Sequence, residues 1–203
     1  DRESVKANIE HRIRSWGMCT PRREVLGSGE FVGFGASEIL SFGLHAGLID
    51  AVVLACDGAG TVVVTKPALV QGIGGRMSGL VKTVPYPDVI RRIEENGGVV
   101  LDPAHARLDQ SAGVRRAQEQ GYRRIAVTVA LPEDSSSIRR LYPDAIIFGV
   151  HVTGLTPEEV ETFAGSADLM TSCASRTVRD IIGKKAVLQD MASGVIEPGP
   201  AIR

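Results

Sequence analysis

Apolar residues in this chain come in short blocks, and the spacing inside each block assigns most of them. Between residues 3 and 14, Val5, Ile9 and Ile13 recur at steps of four on one face, which predicts a short amphipathic helix. The run Trp16-Gly17-Met18-Cys19-Thr20-Pro21 breaks it and leaves Cys19 in a loop. Residues 31–34 are a short apolar strand candidate. A helical run follows at 39–46, with Ser37 as its expected N-cap and Gly47 just past its end. The apolar block at 49–55 predicts a buried strand, and the β-branched block at 61–65 a second one hairpinned to it. Pro67 opens a short helix that runs into a glycine-dense segment. Pro85 and Pro87 bound a helix through Val89, Ile90 and Ile93 that stops near Gly97-Gly98. A strand at 99–101 and a helix at 109–120, closed by Gly121, come next.

Beyond residue 120 the rhythm is steadier. Strands are expected at 125–130, 145–150, 168–171 and 186–188, with helices at 135–141, 157–163 and 175–182 between them. Strands alternating with short helices predict an α/β fold: a mostly parallel sheet with helices on both faces, Rossmann-like and three-layered. No repeat, low-complexity tract or linker divides residues 1–203, so they read as a single α/β domain. The thinnest stretch, 101–110, is where a boundary between two lobes would fall. The first residue is Asp1 and not Met, so a missing N-terminal segment is expected.

Charge narrows the function classes. Lysine and arginine (23) nearly cancel aspartate and glutamate (24), leaving a net charge of -1. No global field therefore draws the chain to nucleic acid or to an anionic membrane surface. The doublets Arg22-Arg23, Arg91-Arg92, Arg115-Arg116, Arg123-Arg124 and Arg139-Arg140 read as solvated faces near acidic residues. Aromatic content of 4% leaves few rings for base stacking. No apolar run approaches the ~20 residues that span a bilayer, and no secretory signal is present. The cysteines number three, at wide spacing, which fits a reducing, cytoplasmic setting better than a disulfide framework. A homo-oligomer is compatible with this composition.

The chemistry concentrates in two neighbouring stretches. Cys56-Asp57-Gly58-Ala59-Gly60-Thr61 ends the strand at 49–55, and Gln71-Gly72-Ile73-Gly74-Gly75-Arg76-Met77-Ser78-Gly79 follows soon after. Crowded glycines let backbone N–H groups approach a ligand. The second stretch is not a Walker A loop, since Leu80 follows Gly79, and it lacks the third glycine of the dinucleotide fingerprint. One reading is an anion nest in which backbone N–H groups, the Arg76 fork and the Ser78 hydroxyl hold phosphate, carboxylate or sulfonate. The other is tight helix packing with Arg76 in an ion pair. Cys56 and Asp57 are candidates for nucleophile and general base, although Asp57 at a turn also serves as a cap. Cys173, just before a predicted helix, is a candidate low-pKa thiolate or a small buried hydrophobe. His151, beside Thr153, is a candidate acid–base group or a histidine bonded at a sheet end.

Four of these stretches fall at predicted strand ends: Cys56-Asp57-Gly58, Thr128-Val129-Ala130, His151-Val152-Thr153-Gly154 and Thr171-Ser172-Cys173-Ala174-Ser175. Ligands of open parallel sheets bind beyond the carboxyl ends of the strands, so the four would line one crevice if the strand order brings them together. An alternative joins Cys19, Cys56 and Cys173 around an iron–sulfur cluster, without any close Cys-x-x-Cys spacing to mark it.

A family pattern runs through the same residues. Gly17-Met18-Cys19-Thr20, Phe34-Gly35-Ala36-Ser37-Glu38, Cys56 to Val62, Gln71 to Gly79, His151-Val152-Thr153-Gly154 and Cys173-Ala174-Ser175 together resemble the methanogenesis marker protein 8 family of methanogenic archaea. The resemblance covers nearly the whole chain. It implies an archaeal cytoplasmic protein linked to methane formation, with additional N-terminal sequence, and it brings no established reaction. The expected function is binding of a small anionic metabolite or cofactor on the glycine segment, with cysteine and aspartate chemistry nearby. The alternative is a non-catalytic accessory or assembly factor whose partners are methanogenesis enzymes.

Overall fold

The computed structural model describes residues 2–27, 35–77, 80–172, 175–190 and 195–198. The helix expected near the start is α1, Arg2–Trp16; the strand candidate at 31–34 lies outside the described residues. Helix α2 is Ala36–His45, strand β1 Ala51–Cys56 and strand β2 Gly60–Val64. Helices α3 (Pro67–Ile73) and α4 (Pro87–Glu95) lead to β3, Val99–Val100. The second half runs α5 (Gln110–Glu119), β4 (Ile125–Val129), α6 (Pro132–Leu141), β5 (Ile146–Gly149), α7 (Pro157–Ala164), β6 (Leu169–Thr171), α8 (Arg176–Ile181), β7 (Ala186–Asp190) and β8 (Val195–Pro198).

The eight strands among the described residues join one sheet, in the order β3-β2-β1-β4-β5-β6-β8-β7. Its centre, β1-β4-β5-β6, is parallel, and antiparallel strands close both ends. Side chains alternate across it. Val52, Leu54, Val62 and Phe148 face one core with Leu40 of α2, Leu69 and Ile73 of α3, and Val89 and Ile93 of α4. Ala51, Val53, Val127 and Ile147 face the other with Val114 of α5, Ile138 of α6, Phe163 of α7 and Val178 of α8. Strands buried on both faces need continuous apolar runs, which is why β1 and β4 read so clearly in the sequence. The α/β, three-layer expectation holds.

Several local expectations change. The N-cap of α2 is Gly35; Ser37 sits inside the first turn, where its hydroxyl donates to Glu38 Oε2 at 2.9 Å. Ile49 precedes β1 and packs in the core beside α2. Helix α6 starts at Pro132, three residues earlier than the apolar pattern suggests, because proline fits the first turn where no N–H is needed. Strand β8 has no counterpart in the predicted elements.

Candidate functional site

The four expected strand ends do share one edge. β1, β4, β5 and β6 are adjacent and parallel, so Cys56, Val129, Gly149 and Thr171 end side by side along the carboxyl edge of the sheet. The β1 end is the most elaborate. Cys56 pairs with Gly60 across a hairpin turn in which Gly58 and Gly60 take φ of 85° and 76°, a region that disfavours a side chain. Thr61 is buried, its hydroxyl donating to Gln110 Oε1 at 2.8 Å and accepting from the Asp109 N–H.

Asp57 is 1% exposed and faces Arg23, which is 0% exposed. Arg23 Nε donates to Asp57 Oδ1 at 2.8 Å, and the Cys19 N–H donates to Asp57 Oδ2. The rest of the Arg23 fork donates to Gly72 O at 2.9 Å, Ile73 O at 3.2 Å and Glu24 O. Those first two carbonyls are at the carboxyl end of α3, where a cation offsets the helix dipole. The sequence reading placed the Arg22-Arg23 doublet in solvent. That is corrected for Arg23, whose charge is taken up by one carboxylate and three carbonyls. In the structure residues 23–26 alternate, with Arg23 and Val25 buried and Glu24 and Leu26 outward, but the order Arg-Glu-Val-Leu carries no matching polar–apolar alternation that would have marked it.

The glycine segment is the end of α3. Gln71, Gly72 and Ile73 are helical, and i to i−4 bonds continue through Gly74, Gly75 and Met77. Gly72 is required by close approach, since a Cβ there would lie 2.1 Å from Val25 O. Arg76 is 7% exposed. Its fork donates to Glu24 O at 2.9 Å and Leu26 O at 3.1 Å, and reaches Glu24 Oε2 at 3.1 Å. The guanidinium also lies 5.3 Å from the centre of the Trp16 ring. Arg23 and Arg76 therefore share the Glu24 carbonyl. Burial, and then Arg23, push the Arg76 guanidinium below its ordinary pKa, against the pull of Glu24. Among the described residues, two buried polar atoms here have no partner: Arg76 Nε, a donor, and Gln71 Oε1, an acceptor. Ser78 lies outside the described residues.

The cysteines sit in different settings. Cys56 is fully buried, and burial pushes its thiol up to about 12, opposed by Arg23 and aided by the weaker effect of Asp57. A thiol held in its protonated form is a weak nucleophile. Cys19 is exposed, at φ 57°; burial of its sulfur and the Asp57 charge raise its pKa too, with Arg23 opposing. Cys173 lies outside the described residues, beyond β6, which is three strands from β1, about 14 Å across the sheet. No group of three His, Cys, Asp or Glu among the described residues is arranged to hold a metal ion. His151 is exposed at φ 62° just past β5, and its imidazole makes no hydrogen bond among the described residues. Thr153 is exposed as well. Ser175 is a buried N-cap of α8, its hydroxyl accepting from Val178 N at 3.2 Å.

A small cleft of about 80 Å³ opens between the β1 and β4 ends, bordered by Ala55, Thr128, Ala130, Gln110 and Asp134. Gln110, which the sequence reading passed over, ties it together: Nε2 donates to Thr128 O at 2.6 Å while Oε1 accepts from Thr61. Burial, then Glu133 and Asp109, raise the Asp134 carboxyl above the usual carboxylate range. No described helix is long and apolar enough to cross a membrane.

Comparison with known proteins places the chain among archaeal relatives. An uncharacterised protein of Methanocaldococcus jannaschii, MJ0054, is 44% identical over 191 residues, which is 93% of this chain and 67% of that protein. A family model described as an uncharacterised protein conserved in archaea, DUF2099, matches residues 1–195. On both grounds the chain belongs to this DUF2099 family.

Proposed function

We propose that the protein binds a small anionic metabolite or cofactor at the carboxyl edge of its parallel strands, beside the end of α3. The observation that carries this reading is the paired guanidinium cluster. Arg23 and Arg76 are both buried and share one carbonyl; among the described residues the buried carboxylate paired with them is Asp57, since Glu24 is mostly exposed. Among the described residues Arg76 Nε is a donor without an acceptor. Such a group is costly to bury, and an oxyanion would satisfy it with a charge-assisted bond. The α3 end contributes shape, not an anion nest, because a helix carboxyl end presents carbonyls. The role of Cys56 and Asp57 in this reading is structural support, with the thiol kept protonated and the carboxylate held by Arg23.

The resemblance to methanogenesis marker protein 8 narrows the ligand to the phosphorylated, carboxylated or sulfonated compounds of methane formation. The motifs named above support it, and so does the identity with a Methanocaldococcus protein. The test uses inorganic phosphate, sulfate and acetate as probes. One of them should raise the melting temperature of the native protein in a saturable way. Arg76→Lys keeps the charge but loses Nε and the fork, and should weaken that response about tenfold or more. No response of the native protein to any of the three would overturn the reading.

A further inference from the structure

The small cleft between the ends of β1 and β4 lies where the chain divides between the two faces of the sheet. These strands are parallel neighbours. From β1 the chain turns through β2 to α3 and α4, whose apolar side chains pack on one face with Val52 and Leu54. From β4 it enters α6, whose Ile138 packs on the other face with Val53 and Val127. Connections that diverge in this way leave a crevice beyond the carboxyl ends of the two strands, and ligands of open α/β sheets bind there. None of the described residues lining the cleft belongs to the arginine cluster.

Its walls are apolar and accessible. Leu80 and Leu108 are half-buried, and Val81 and Leu131 are 74% and 37% exposed. Gln110 closes the inner end with both of its amide atoms hydrogen-bonded, Nε2 to Thr128 O and Oε1 to the Thr61 hydroxyl. The volume of about 80 Å³ suits a body of about four heavy atoms, since a cavity of about 150 Å³ holds benzene. The charge at the mouth is of one sign. Asp134 lines the cleft, Glu133 precedes it, and Asp109 caps α5 beside Gln110. Arg107 approaches Asp109 at 3.4 Å, whereas Asp134 makes no ion pair or hydrogen bond among the described residues. The first-turn carboxylates already offset the positive end of α6. After burial, Glu133 and Asp109 both disfavour the charged form of Asp134. A cation at the mouth relieves that repulsion, and a further anion adds to it.

We propose that this cleft binds a short alkylammonium, with its alkyl chain against Leu80, Val81, Leu108 and Leu131 and its ammonium donating to Asp134. The walls take the chain out of water, and the carboxylate takes the charge in a charge-assisted hydrogen bond.

The probe is n-propylammonium, titrated into the full chain at constant ionic strength and followed by amide chemical shifts. Two analogues separate the parts: propan-1-ol keeps the chain without the charge, and ammonium ion keeps the charge without the chain. Propylammonium should bind saturably, with shifts centred on residues 80–81, 108–110 and 130–134, and each analogue should bind about tenfold more weakly. Asp134→Asn should bring the amine down to the level of the alcohol and leave the alcohol unchanged. Leu131→Ala should weaken both. The two side chains are exposed, so the melting temperature should hold and report an intact fold. Absence of saturable shifts at about 50 mM propylammonium, an analogue that binds as well as the amine, or amine binding indifferent to either substitution would overturn the proposal.

Discussion

Cys56 illustrates how far burial decides what a residue can do. It ends a strand beside a carboxylate and a glycine turn, a position that suits a nucleophile, yet its sulfur is surrounded by the α2–α4 core. Burial raises its thiol from 9.0 to about 12; the Arg23 charge opposes that, and the Asp57 charge offsets only part of the opposition. The sign follows from linkage. Between pH 9 and 12 the unfolded chain has released this proton and the folded chain has kept it, so rising pH favours unfolding across that window and has no effect through this group below it. With Cys19 and Cys173 replaced by serine, the remaining Cys56 should resist a thiol reagent at pH 8 in the native protein. It should react fully in urea. Rapid labelling without denaturant would mean that the thiol is accessible and the nucleophile reading returns.

At the element scale, the segment 17–27, turned at residues 18–22, is a strap that fastens two elements at once. Arg23 joins the β1 end through Asp57 and the α3 end through Gly72 and Ile73, and Arg76 holds the strap from the other side. An ion pair buried this completely is costly to break from one side, because the partner is left charged without water. Arg23→Met should therefore cost about 3–5 kcal/mol in urea unfolding, and Arg23→Met with Asp57→Leu should cost clearly less than the sum of the single changes. Additive losses would show that the pair is uncoupled. The sequence hid this arrangement. The elements themselves were readable: Pro67, Pro87 and Pro157 open their helices, and Gly47 and Gly121 adopt positive φ just past theirs. An arginine that caps a distant helix end leaves no periodic mark, and the order Arg23-Glu24-Val25-Leu26 does not alternate polar with apolar.

For the whole molecule, the apolar runs identify the strands but say nothing of which lies beside which. Pairing joins segments as distant as Val52 and Ala126, and a strand buried on both faces looks the same whatever its neighbours. That is why the crevice could be argued only conditionally from the sequence, and why β8, a short edge-side strand, left no signal. The observed order makes a measurable statement. β1 is hydrogen-bonded to β2 and β4, β4 to β1 and β5, and every residue of both strands is buried. Helix α1, by contrast, has mostly exposed side chains and touches the strap and α3 end through Arg12 and Trp16. Amide exchange reports the free energy of the opening that exposes each group. The amides of β1 and β4 should exchange only by global unfolding and be the slowest in the protein, whereas those of α1 should exchange by local opening and be among the fastest. If β1 were at an edge, about half of its N–H groups would face water and exchange early. Peptide-level deuterium uptake separates the two cases, and early uptake across residues 51–56 would reject the strand order on which the shared carboxyl edge depends.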